Sequence, residues 1–457
     1  MPHHETPFEV AALQALFRAG KTNAADVVRA AYERVRQADR PDVWINVRSE
    51  ADAVSAAAAL AKLSPDDLPL YSVPFGVKDN IDVAGLPTTA ACPAYAYVPS
   101  ESAPCVAALE RAGAICIGKT NLDQFATGLS GVRSPYGACG SAYDRNVIAG
   151  GSSSGSAVAV ALGEVAFALG TDTGGSGRVP ASLNNVVGLK PTIGAISTRG
   201  LVPNCRTLDC VSVFAKTVPD AVAVADVMRA FDARDPFSRR HPADFVQGMI
   251  DPPRSFRFGI PRVQDLEFYG NKEAPQLFGG AVRRIEEIGG TAVPIDFAPF
   301  REAGVLLFDG PWVAERFQAV GAFVADHPSD VLPVTRSIIE SGSRWSAADA
   351  FTAQYRQQTL KREAEGIFSS IDVLAVPTAA TWFTIAEMLA EPVKRNSMMG
   401  YYSYFVNLLD LCAVAAPSGF YSNGIPAGVT FVGPAFHDNL CAAIANRFHK
   451  TLPSRAK

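Results

Sequence analysis

Residues 150–180 read GGSSSGSAVAVALGEVAFALGTDTGGSGRVP. Two glycine–serine loops, around Ser152 and Ser176, are joined by an apolar run that reads as a short helix followed by a strand. Loops so rich in glycine bring backbone N–H groups close to a ligand, because small residues permit the backbone angles that such an approach needs. No histidine occurs between His4 and His241. A serine nucleophile in these loops therefore needs an unusual base.

Working outward, the spacing of apolar residues predicts helices over Phe8–Arg18 and Ala24–Gln37, the second capped by Thr22 or Asn23. Val43–Val47 reads as a strand, Ala51–Lys62 as a helix, and Tyr71–Val77 as a strand ending at Lys78. Pro104–Ala112, Ala114–Ile117 and Leu122–Thr127 read as helix, strand and helical turn. Beyond the serine loops, Val187–Pro191 and Thr198–Pro203 are loops or short strands, and Pro219–Phe231 is a helix. Asp232–Pro253 is polar and proline-containing, a boundary or a surface excursion. Strands are then expected at Phe256–Ile260, Ala292–Ile295, Val373–Pro377, Cys412–Ala416 and Ala427–Val432. Helices are expected at Ala274–Ile288, Phe300–Ala325, Ala347–Phe368 and Asn439–His449. This alternation argues for an α/β fold: a large mixed, mostly parallel sheet with helices on both faces.

Composition narrows the function. A net charge of −4 offers nothing to nucleic acid or an anionic membrane. The longest apolar stretch, Ala157–Gly170, is interrupted by Glu164 and too short to span a bilayer. The N-terminus, MPHHETPFEV, lacks the basic and apolar regions of a signal peptide. The 8 cysteines form no CxxC pair, and several sit in apolar runs, which predicts buried, reduced thiols in a cytoplasmic protein. No metal-ligand cluster is visible.

Two motifs match familiar patterns in the wrong context. Gly113–Thr120 fits GxxxxGK[ST], but a helix precedes it and its central residues are strand-like, so Lys119 reads as structural rather than phosphate-binding. Gly151–Gly155 fits GxSxG, yet the available histidines, at 241, 327, 437 and 449, lie in the excursion, in loops or near helix ends. That leaves Lys78, emerging at the end of the apolar strand YSVPFGV, as a candidate base. Desolvation there can hold a lysine neutral at a cost of roughly 4–5 kcal/mol. The alternative is a surface lysine paired with Asp79. Thr173, Gly174, Gly175 and Ser176 form a run of amides able to face a developing oxyanion, or simply a glycine turn before a helix.

Together these pieces resemble the amidase signature family. The matching elements are VPFGVKDN around Lys78, GKTNLDQFATG at 118–128, GGSSSGSA at 150–157, GTDTGGSGRVPA at 170–181, GLKPTIG at 188–194 and the C-terminal GIPAGVTFVGP. The resemblance implies a Ser-cis-Ser-Lys triad in which Lys78 is the base, Ser152 the bridge and Ser176 the nucleophile. It also implies a single amidase domain over 1–457, a small-molecule substrate, no cofactor and a homodimer. The segments 198–214 and GPWVAER at 310–316 are similar to the branch that hydrolyses allophanate (N-carboxyurea). By that likeness Arg316 takes the substrate carboxylate, with Gly128 and Phe308 also lining the substrate. On a solvated helix face Arg316 would instead pair with Glu315. Three positions depart from the usual pattern: Ser154 stands for Gly, Gly177 for the common Ile, and Phe308 for a substrate-contacting Tyr. Many full-length members of that branch carry a further C-terminal domain that this chain is expected to lack. Other readings are an amidase for another small amide or for glutamine, a non-catalytic binding module of the same fold, and a nucleotide-binding protein.

Overall fold

A computed structural model describes residues 8–452. The first seven residues, with most of the stretch weighed as a leader, lie outside the described residues. Eleven strands run β1 (Trp44–Val47), β2 (Pro74–Lys78), β3 (Ile115–Thr120), β4 (Phe167–Asp172), β5 (Val187–Lys190), β6 (Cys210–Ala215), β7 (Phe256–Pro261), β8 (Gly290–Ile295), β9 (Val373–Pro377), β10 (Leu411–Phe420) and β11 (Pro426–Pro434). They form one sheet in the order β1-β3-β2-β4-β6-β5-β10-β11-β9-β7-β8.

The mixed sheet agrees with the sequence reading, but its share of parallel pairings is smaller than expected. Four pairings are parallel and six are antiparallel. The cause lies partly in β6, a strand absent from the sequence expectation, which inserts antiparallel between β4 and β5. The β10–β11 hairpin adds a further antiparallel pair.

Helices cover both faces, as the fully buried strands require. In β9, Val373 and Ala375 join a core that includes Val28, Val222 and Ile444. The alternate residues Leu374 and Val376 join another with Phe300, Leu307 and Leu360. Successive strand side chains point to opposite faces, so each face has its own packed core.

Most helices fall where their apolar spacing put them. Asn23 caps Ala24–Ala38, its side chain accepting the Asp26 N–H, and Ala347–Phe368 matches its expected bounds. The long helix expected over Phe300–Ala325 is instead two, Ala298–Asp309 and Val313–Asp326. Pro311 has no N–H to donate and pushes Gly310 into an extended conformation, so the helix must end there. The Asp232–Pro253 stretch contains no helix or strand, and the same sheet continues on both sides of it. Among the described residues no helix is long and apolar enough to cross a membrane. All eight cysteines are buried free thiols.

Because β2 and β4 are parallel neighbours in the interior of the sheet, their C-terminal residues, Lys78 and Asp172, lie at the same end of the strands. Antiparallel pairing of Asp172 with Cys210 brings the start of β6 to that end as well.

Candidate active site

Lys78 ends a strand that is buried along its whole length. Its Nζ lies 2.8 Å from Ser152 Oγ and 2.7 Å from Thr171 Oγ1. Burial pushes its pKa down from 10.5 to about 7, against the opposing pull of the Asp123, Asp209 and Asp172 carboxylates. The pairing with Asp79 does not occur. Asp79 is instead 3.0 Å from Lys119, both side chains fully buried. Lys119 belongs to β3, whose strand takes up most of the GxxxxGK[ST] match, so no phosphate loop forms there.

Ser152 follows a cis peptide bond from Gly151 and precedes the helix Ser154–Ala161. A Cβ on Gly151 would fall 2.1 Å from Asp123 Oδ2, so only glycine fits this approach. The Asp123 carboxylate gathers the N–H groups of Ser130, Gly131 and Arg133 at 3.0, 3.0 and 2.9 Å. Its own N–H donates to the Ser152 carbonyl at 3.1 Å. Ser153, the centre of GxSxG, is tied to strand β4 by donating to the Thr171 carbonyl at 3.1 Å. The substituted Ser154 is accommodated fully buried.

Ser176 sits on the loop that follows β4. Asp172, the last residue of that strand, accepts from Gly175 N at 2.8 Å, Gly177 N at 3.0 Å and the Arg178 guanidinium at 2.8 and 2.9 Å. Burial alone would raise the Asp172 pKa, but Arg178 holds it below the usual carboxylate range. This corrects one expectation. The Gly175 N–H is committed to a carboxylate and cannot face an oxyanion. The N–H groups of Thr173, Gly174 and Ser176 have no hydrogen-bond partner among the described residues. Gly177 lies so near Ser212 that a Cβ would come within 2.5 Å of its Cβ, which accounts for glycine there. From the far side, Ser403 Oγ donates to the Gly174 carbonyl at 2.8 Å, and Arg178 donates to the Ser403 carbonyl at 3.0 Å.

Arg316 lies on the helix Val313–Asp326 and is half-buried rather than solvated. Its Nε donates to Asn204 Oδ1 at 2.7 Å. Glu315 turns to Thr207, accepting from its hydroxyl at 2.7 Å. Phe308 stacks on Tyr404 at 5.1 Å between ring centroids. Tyr404 in turn backs Gly174, where a Cβ would come 3.0 Å from its ring. Gly128 lies against Asp123, whose Oδ2 would be 2.5 Å from a Cβ there. Leu129 N donates to Asn396 Oδ1 at 2.7 Å, and Asn396 donates to the Tyr404 hydroxyl at 3.1 Å. The residues singled out in the sequence thus fall on one connected framework around the ends of β2 and β4. Lys78 and Ser152 are the two joined directly to each other.

Sequence reasoning missed Thr171, Asp172, Arg178, Asp123, Arg133, Asn204 and Asp209. Asp209 accepts from Thr173 Oγ1 and from the N–H groups of Asn204 and Cys205 at 2.9 and 3.2 Å. A signal existed for Asp172 and Arg178: charged residues inside an apolar, glycine-rich motif must be paired when buried.

The fold and this site define a class. A family model described as Amidase matches residues 26–442, and the chain belongs to that family. Among individual proteins, it is 45% identical over 419 residues to the urea amidolyase of Lachancea kluyveri, covering 91% of this chain and 23% of that protein. It is 43% identical over 415 residues to the Saccharomyces cerevisiae urea amidolyase, covering 90% and 22%. The chain therefore spans under a quarter of the length of these relatives. Kluyveromyces lactis allophanate hydrolase superposes with a TM-score of 0.91 at 41% identity, covering 96% of this chain and 72% of that one. A glutamyl-tRNA(Gln) amidotransferase chain from Lacticaseibacillus paracasei is 30% identical, with 94% of each chain covered.

Proposed function

We propose that this chain hydrolyses allophanate, releasing ammonia through an acyl-enzyme on Ser176. The observation that carries the reaction is the buried Lys78 amine, with a pKa of about 7, hydrogen-bonded to Ser152 Oγ at 2.8 Å. Near neutral pH a large fraction of this amine is unprotonated, and its lone pair accepts the Ser152 proton as Ser152 accepts that of Ser176. Ser176 Oγ attacks the terminal amide carbon, and the oxyanion meets the unpartnered N–H groups of Thr173, Gly174 and Ser176. The proton returns through Ser152 to the leaving nitrogen, and ammonia departs. Water enters by the same relay, leaving N-carboxycarbamate, which can lose CO2. Arg316 supplies the charge for the substrate carboxylate, a role supported by the relatives named for allophanate and urea chemistry. Phe308 and Gly128 line the substrate beside it. A cytoplasmic compartment, supported by the eight buried thiols, and a homodimeric assembly belong to the same proposal.

A second reading is a glutamine or other small-amide hydrolase, favoured by the nearly full-length match to the amidotransferase chain. Steady-state ammonia release from allophanate, malonamate, biuret and glutamine separates the two. Allophanate should have the highest kcat/KM, and a higher value for glutamine would replace the first reading by the second.

A further inference from the structure

Arg316 forms no ion pair among the described residues. Its partner is a neutral amide. Asn204 is 2% exposed, and its orientation is fixed, because Nδ2 donates to the carbonyls of Ala126 and Phe125 at 2.7 and 3.2 Å. Carbonyls can only accept, so Oδ1 must face Arg316 Nε. The backbone of Asn204 is held as well, its N–H donating to Asp209 Oδ2 at 2.9 Å.

A second guanidinium is close enough to interact. Burial lowers the pKa of Arg133, the Asp123 carboxylate and the Tyr404 phenol oppose that, and Arg316 adds to it. Arg133 also lacks an ion pair among the described residues, donating instead to the carbonyls of Thr127 at 2.8 Å and Pro392 at 2.6 Å. Its buried Nε has no partner. Both arginines are thus positioned by neutral acceptors, with no carboxylate at ion-pair distance among the described residues. An aspartate at 204 would set a carboxylate against Arg316 and neutralise it, although its other oxygen would face the Ala126 and Phe125 carbonyls with no proton to donate.

We propose that Asn204 is a specificity-determining positioning residue: its amide fixes Arg316 while preserving the charge that selects carboxylated over neutral amides. The inference rests on the reading that Arg316 receives the substrate carboxylate. It adds that discrimination depends on the neutrality of the residue behind the arginine.

The test compares wild type, Asn204→Asp and Asn204→Ala on allophanate, malonamate and neutral biuret. The rate of Ser176 labelling by an uncharged fluorophosphonate reports whether the hydrolytic machinery is intact. Asn204→Asp should raise KM for both carboxylated substrates by about tenfold or more, with labelling within about threefold of wild type. If the aspartate variant does not label, Asn204→Ala decides, since loss of the positioning acceptor should raise the same two KM values selectively. An aspartate variant that labels normally and keeps the wild-type preference for allophanate over biuret would overturn the inference alone. So would an alanine variant with unchanged KM for the carboxylated substrates. A wild type with no preference for the carboxylated substrates would instead overturn the reading on which it rests.

Discussion

Lys78 sets the pH response of the site, because the neutral amine is the form able to accept a proton. Its pKa is held at about 7, so kcat/KM should rise with pH through an acid limb centred near that value. Lys78→Arg should lose activity at neutral pH by several orders of magnitude, since a guanidinium remains protonated. An arginine variant with wild-type activity would rule out the proton-accepting role. Asp209 refines the test. Its carboxylate is one of three that raise the Lys78 pKa, so Asp209→Asn should move the acid limb to lower pH. A merely structural role would lower the amplitude and leave the midpoint in place. Lys78 was legible in the sequence because an apolar strand must deliver its last side chain into or beside the core. Asp209 and Asn204 were not, because their partners come from loops that only the tertiary fold brings near. The Gly175 N–H was misassigned for a related reason. A run of glycines supplies donors without saying where each one points, and here Asp172 takes that one.

At the scale of elements, the loop after β4 is held by a buried ion pair as much as by its glycines. Arg178 and Asp172 are fully buried and joined by two hydrogen bonds. Removing one partner strands the other charge, so Arg178→Ala should cost about 3–5 kcal/mol of stability. Urea unfolding reads that loss, and Ser176 labelling by a fluorophosphonate should slow in parallel as the loop loses its anchor. A variant that loses stability but labels at the wild-type rate would separate the pair from the loop. Gly175 makes a sharper case. Its φ of +133° suits glycine, and a Cβ would meet Ser403 Oγ at 2.3 Å. Gly175→Ala should therefore slow labelling even with Asp172 and Arg178 intact. The helices that carry Phe308 and Arg316 show why element boundaries were harder to read than element types. The apolar spacing runs unbroken through Gly310-Pro311, and only the backbone chemistry of proline divides it.

For the whole molecule, the alternation of strands and helices sufficed to expect a covered sheet. Chain direction was less accessible, because β5, β6, β10 and β11 pair antiparallel through connections whose course the apolar pattern does not encode. That sheet carries the cost of its site. Below pH 7 Lys78 is protonated in both folded and unfolded chains, and the folded state bears a buried ammonium. Between about pH 7 and 10.5 the folded chain has released the proton while the unfolded chain retains it, so stability rises with pH across this window. A displacement from 10.5 to about 7 corresponds to roughly 5 kcal/mol at ~1.4 kcal/mol per pH unit. Lys78→Met should accordingly raise the urea midpoint most at pH 6, with an advantage that shrinks steadily toward pH 9. The substitution also leaves the Ser152 and Thr171 hydroxyls without their lysine partner, a loss that does not change with pH in this range. The slope of the difference therefore isolates the lysine's titration from the packing change. A difference that stayed constant from pH 6 to pH 9 would mean that Lys78 keeps an ordinary pKa, and the proposed proton relay would lose its base.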